Sequence, residues 1–180
     1  MDADTYLRDI RRTFGNYRAL AEAAVAQIAD DQLFTTIDPD ANSIAIVMQH
    51  VAGNLRSRFQ DFLTADGEKP DRDRDAEFEP QELTRDELLR TWAAGWDVAL
   101  QSIGALTAAD LDRTITIRGE PFAIVEALSR SATHTAYHVG QMVLLAKHFA
   151  GPAWRSLSIP KGQSKGHTQG QFKAGIIPPR

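Results

Sequence analysis

Apolar side chains recur along this chain at steps of three and four residues, the spacing that gathers them on one face of an α-helix. Tyr6, Ile10, Phe14, Tyr17, Ala21, Ala24 and Ile28 trace one such stripe and predict a first helix from about Asp4 to Ile28, which the Asp30-Asp31 and Asp38-Pro39-Asp40 segments interrupt. A second stripe, Ile44, Met48, Val51, Leu55, Phe59 and Phe62, predicts a helix that opens at Ser43 and ends near Thr64, before Gly67 and Pro70. The Ser43 hydroxyl suits that start because it can accept from the free amides of the first turn. The third helix opens on a capping box, Thr84 with Glu87, and carries Leu88, Trp92, Trp96, Leu100 and Ile103. Trp92 and Trp96 read as core or interface residues. The fourth helix is expected from Pro121, whose missing N–H suits a first turn, to about Phe149, with Gly151-Pro152 stopping it. No long stretch alternates strictly. Thr114-Ile115-Thr116-Ile117 is β-prone but reads as too short to build a sheet.

These elements predict an all-α protein, a four-helix bundle over residues 1–150. Residues 65–83 hold Pro70, Pro80 and the alternating run Asp71-Arg72-Asp73-Arg74-Asp75, with Phe78 and Leu83 as the sizeable apolar anchors. This reads as a long connection, sufficient for the crossover that parallel neighbouring helices need. Helices two and three are therefore expected to run the same way, in place of a simple up-down-up-down order. Residues 151–180 hold five of the twelve glycines and four of the eight prolines, the composition of a linker. Yet Trp154, Leu157, Ile159, Phe172, Ile176 and Ile177 supply anchors that a solvated linker does not need. The expectation is a C-terminal extension packed on the bundle or on a partner subunit, with a homodimer as the assembly.

Composition narrows the chemistry mainly by exclusion. A chain of 180 residues with 43% hydrophobic and 24% charged side chains describes one ordinary globular domain. Zero cysteine removes thiolate metal sites, thiol catalysis and disulfides together. No apolar run approaches the roughly 20 residues that span a bilayer, and the first residues lack the basic start and apolar stretch of a signal peptide. The expected location is cytoplasmic, with no membrane partner. The formal charge of −4 divides into a tail of +5 and a body of −9. An acidic body argues against duplex nucleic acid as a partner.

Five histidines remain. His134 and His138 are one turn apart on one face of the fourth helix, with Cβ atoms about 6 Å apart. Two imidazoles so placed can converge on one cation, at about 2.0 to 2.1 Å for zinc. The bland alternative is a pair of polar shoulder residues bonded to backbone or solvent. His50 is the best third donor, although it sits roughly 120° from the middle of its own helix's stripe and by itself reads as a surface or shoulder residue. His148 suits the negative end of the fourth helix, and His167 lies in the tail; both read as bystanders. Asn54, Gln141 and Tyr137 are candidates to orient the rings. No residue stands out as a general base, and Glu126 and Asp61 are only the nearest guesses.

The placing of His50, with His134-x-x-x-His138 followed by Val139-Gly140-Gln141, resembles the DinB-like superfamily of bacterial four-helix bundles. The stretches Asn42-Ser43-Ile44 through Gly53-Asn54, Asp66-Gly67-Glu68-Lys69-Pro70 and Trp154 through Gly162 resemble an uncharacterised branch of it. The resemblance covers essentially the whole chain. It implies an up-down-down-up bundle and a divalent metal, typically nickel or zinc, held by the residues matching His50, His134 and His138. Better-understood members resemble thiol transferases, joining a low-molecular-weight thiol to a small electrophile, or thiol-dependent isomerases, and the branch itself carries no assigned activity. The expectation is an enzyme of thiol-transferase type, for which a chain without cysteine would take its sulfur from the cosubstrate. A metal- or ligand-binding stress protein without turnover is the competing expectation, because a metal site alone does not prove catalysis.

Overall fold

The computed structural model describes residues 2–163, and within them the chain is mostly helical. α1 spans Ala3–Val25, with the Asp2 carboxylate accepting from the Thr5 N–H at 3.2 Å. It stops short of Ile28, although Ile28 is still buried. Asp30 and Asp31, expected to interrupt the chain, open a second short helix, α2 (Asp30–Phe34), where their charge faces the positive end. The Gln32 side chain accepts from the Ala29 N–H at 2.9 Å and fixes that start.

α3 spans Ile44–Phe59, and the Ser43 hydroxyl accepts from the Ile46 N–H as its sequence position predicts. It ends before Thr64 because Gln60 is extended and Asp61 takes a left-handed φ of 51°. That reversal folds Phe62 back onto Phe59, ring centroids 5.1 Å apart, so both phenyl groups reach the core. α4 (Arg85–Ala105) carries the predicted box, the Thr84 N–H donating to Glu87 at 2.9 Å. α5 spans Ile124–Ala150.

Two expectations are corrected between α4 and α5. Thr114–Ile117 does form a strand, β1, and pairs antiparallel with β2, Glu120–Ala123. Arg118 and Gly119 between them have φ of 58° and 78°, the left-handed pair of a two-residue hairpin turn. Ile115 and Ile117 point into the core while Thr114 and Thr116 stay exposed, so a short alternating run finds its partner in the residues just beyond the turn. Pro121 consequently lies in β2 opposite Thr116, and α5 begins only at Ile124. A two-stranded sheet consists of edges, where a missing N–H is tolerated.

The core is continuous through the long helices. Phe14, Phe59, Trp92 and Trp96 lie at its centre, Phe14 standing edge-on to both Phe59 and Trp96. α3 packs along α4, with the Gly95 backbone against Ala52 and the Ser102 hydroxyl donating to the Phe59 carbonyl at 2.7 Å. α1 packs along α5, where Tyr6 donates to the Val125 carbonyl, and Gln32 of the following α2 donates to the Phe149 carbonyl. Between α1 and α4 the order reverses, Arg11 reaching the Ile103 carbonyl and Trp92 donating to Glu22. α5 also packs against α3, and this contact builds the site described below.

The connection 65–83 contains no long helix; its one regular piece is a 3-10 turn, Ala76–Phe78. Its Gly67 N–H donates to the Thr116 carbonyl at 2.8 Å, which ties it to the hairpin. After α5, Trp154 and Leu157 pack on the core, and Arg155 exchanges backbone bonds with the Gln27 side chain. Of the other tail anchors, Ile159 is half-buried but is not among the residues packed on the core, while Phe172, Ile176 and Ile177, like His167, lie outside the described residues. Among the described residues, no helix is long and apolar enough to cross a membrane.

Candidate metal centre

His50 lies on α3, and His134 and His138 lie one turn apart on α5. The contact between these helices brings the three rings together, with one nitrogen from each inside a group no more than 4.8 Å across. Ring centroids are 5.2 Å apart for His50 and His134, 4.8 Å for His50 and His138, and 4.7 Å for His134 and His138. His50, expected at a shoulder, is only 3% exposed. α3 is buried on nearly every side, so its main apolar stripe does not define its only inward face.

The outer nitrogens of two rings are committed. His50 Nδ1 donates to Glu77 Oε2 at 2.9 Å, and His138 Nδ1 donates to Gln141 Oε1 at 2.9 Å. In the neutral ring each bond places the proton on Nδ1 and leaves the free lone pair on Nε2, the nitrogen on the side of the cluster. His50 Nε2 lies 3.1 Å from His134 Nε2, and the buried His138 Nε2 has no hydrogen-bond partner. Three neutral imidazoles converging with an unpartnered nitrogen fit a divalent cation.

For His134 and His138 the electrostatics favour the neutral form. Burial, reinforced by the neighbouring His138 and His50, pushes His134 down to about 3. Burial also lowers His138, against an opposing bond to Gln141. Glu77 is half-buried, which alone would raise its carboxyl, but bonds from Arg72 and His50 outweigh burial and hold it below the usual range. Arg72 grips Glu77 in two-pronged fashion, Nε at 2.8 Å and Nη2 at 2.7 Å. Gly53, one turn after His50, leaves room for this carboxylate: a Cβ there would run into it.

The predicted ring partners divide. Gln141 bonds His138, and Tyr137 stacks on His138 with centroids 4.2 Å apart. Asn54 is buried in the cavity wall but bonds none of the three rings. Glu126 caps α5 through the Ala123 N–H, and exposed Asp61 sits in the turn after α3; neither lines the cavity. His148 is exposed in the last turn of α5, away from the cluster. Glu77, Arg72 and Phe78, whose ring packs on His50 at 4.5 Å, were hidden in the charged connection. Their one sequence signal is Phe78, an apolar anchor among charges.

The cluster opens onto a cavity of about 480 Å³. Fold and site together define a mostly helical protein with a three-histidine group, His50 and His138 buried and His134 partly so, beside a cavity. The chain belongs to the family described as "protein of unknown function (DUF1572)", whose model matches residues 2–163. No curated protein matches it.

Proposed function

We propose that the chain is a DinB-like protein that binds one divalent metal, zinc or nickel, through His50, His134 and His138, and uses it to join a low-molecular-weight thiol to a small electrophile. The observation that carries the metal reading is the convergence of the three imidazoles with the outer nitrogens of His50 and His138 already engaged. A DinB-like, up-down-down-up bundle is supported by the order of contacts: Ala52 with Gly95 and Phe59 with Ser102 advance together, whereas the contacts between α1 and α4 advance oppositely. A divalent ion on three neutral ligands keeps its full charge and an open position, with which it can acidify bound water or stabilise a thiolate. The protein's own part is to hold His50 through Glu77, to orient His138 through Gln141, and to offer the cavity for the substrate. The absence of cysteine is consistent with sulfur arriving on a cosubstrate.

A second reading, metal or ligand binding without turnover, is favoured by one observation. Among the described residues, the cavity wall carries no carboxylate or lysine to serve as a base. Metal analysis of the purified protein beside His134→Ala and His138→Ala decides the first point; equal, sub-stoichiometric metal in all three removes the site. A panel of thiols with a chromogenic electrophile then separates the readings, because a binder gives no metal-dependent turnover.

A further inference from the structure

The cavity beside the histidines is walled by arginines. Of the chain's 20 lysines and arginines, five lie beyond residue 150, while Arg58, Arg72, Arg74, Arg118 and Arg130 all line this one cavity. They come from α3, the connection, the hairpin turn and α5, so their concentration is a product of the fold and not of local sequence. Two are fixed in place: the Arg58 and Arg72 side chains are 8% and 5% exposed, held by Glu68 and Glu77. Glu68 also receives Arg118 at 2.8 Å, so three guanidiniums share two carboxylates.

The other two are less compensated. Arg74 lies over the Phe78 ring at 5.1 Å, and its carboxylate neighbour, the fully solvated Asp75, is 3.7 Å away. Arg130, one turn before His134, lies over the Phe122 ring and has no carboxylate partner among the described residues. Arg118 adds a conformational argument. It adopts φ 58° at a turn position where glycine or asparagine is favoured. The Asp66 carboxylate accepts from the N–H groups of Arg118 and Gly119 at 2.8 Å each and holds this turn toward the cavity. The result is an excess of positive charge around a concave pocket in an acidic body, which focuses field on an anion.

We propose that this cavity takes its substrate by an anionic oxyacid group, a phosphate or a carboxylate, seated on Arg74, Arg118 and Arg130 beside the three histidines. Guanidinium pairs match such groups in planar, two-pronged bonds. The proposal deepens the metal-centre reading by naming the charge of the substrate, yet the arginines need no metal to bind an anion.

The test titrates inorganic phosphate and, separately, malonate into the full-length protein, metal-free and zinc-loaded, by calorimetry at constant ionic strength held with chloride. Saturable binding of either anion is expected in both forms, weakened about tenfold or more in Arg130→Gln and Arg74→Gln, and restored in part by Arg130→Lys. Circular dichroism confirms that each variant is folded. The anion that binds more tightly identifies the head group. No saturable binding of either anion, or equal binding by wild type and both glutamine variants, overturns the proposal. Zinc bound without anion binding removes this inference and leaves the metal centre; anion bound without any metal uptake removes the metal centre and leaves this inference.

Discussion

At the scale of single residues, the decisive feature is the grip of Glu77 on His50. Ring-orienting carboxylates raise metal affinity by about 10- to 100-fold, so Glu77→Gln is expected to weaken zinc binding by that order in a competition titration with a chromogenic chelator. Gly53→Ala should weaken zinc in the same direction while His134 and His138 stay intact, because the added methyl displaces the Glu77 carboxylate. A second expectation concerns pH. In the unfolded chain a histidine protonates near 6.5, whereas in the folded, metal-free protein His134 does so only near 3. Between these values the unfolded chain binds more protons, so stability falls as pH falls through that window. The urea midpoint of the metal-free protein should therefore drop from pH 7.5 to pH 5, and less so in His134→Ala. Of the ligands, His134 and His138 were legible as a pair because one turn of helix guarantees their proximity. His50 was obscured because its helix is buried almost all round, which a stripe drawn through the largest apolar residues misses. Arg72 and Arg74 were illegible, since alternating acid and base over five residues has the same pattern whether it faces water or a neighbouring helix, and Glu77, Arg58, Arg118 and Arg130 are brought to the site only by the fold.

At the scale of elements, α3 and α4 approach closely at one point, Gly95 against Ala52. An added Cβ there would lie 2.6 Å from the Ala52 carbonyl oxygen and 2.8 Å from its Cα, both backbone atoms that cannot turn aside. Gly95→Ala is thus expected to destabilise by about 1–3 kcal/mol despite alanine's better helix propensity. Gly15→Ala is the matched comparison, because nothing stands within 4 Å of that position. It should stabilise α1 by about 0.5–1 kcal/mol, and chemical unfolding of the two variants measures the contrast. The long helices were readable from their spacing and caps, Ser43 and Thr84 above all. The hairpin was not, because its turn is an Arg-Gly pair and not the Asn-Gly that announces such turns. Pro121 gave a signal that fits a first helical turn and an edge strand equally well.

At the scale of the whole molecule, the segment after α5 returns to the body. Trp154 packs on the core, and Arg155 is tied to Gln27 in both directions. Trp154→Ala should cost about 1–3 kcal/mol in chemical unfolding, with the zinc stoichiometry unchanged, because neither contact touches the histidines. The metal centre draws on more distant parts of the chain: His50 and His134 are separated by 84 positions, and Glu77 arrives on a segment between them. Pairings so remote in sequence must wait for loop closure and helix docking. During renaturation, uptake of zinc at the native affinity should consequently trail the recovery of helical signal. The centre then serves as a clock for the last stage of assembly, and a variant that regains its helices without regaining zinc has stopped before α3 meets α5.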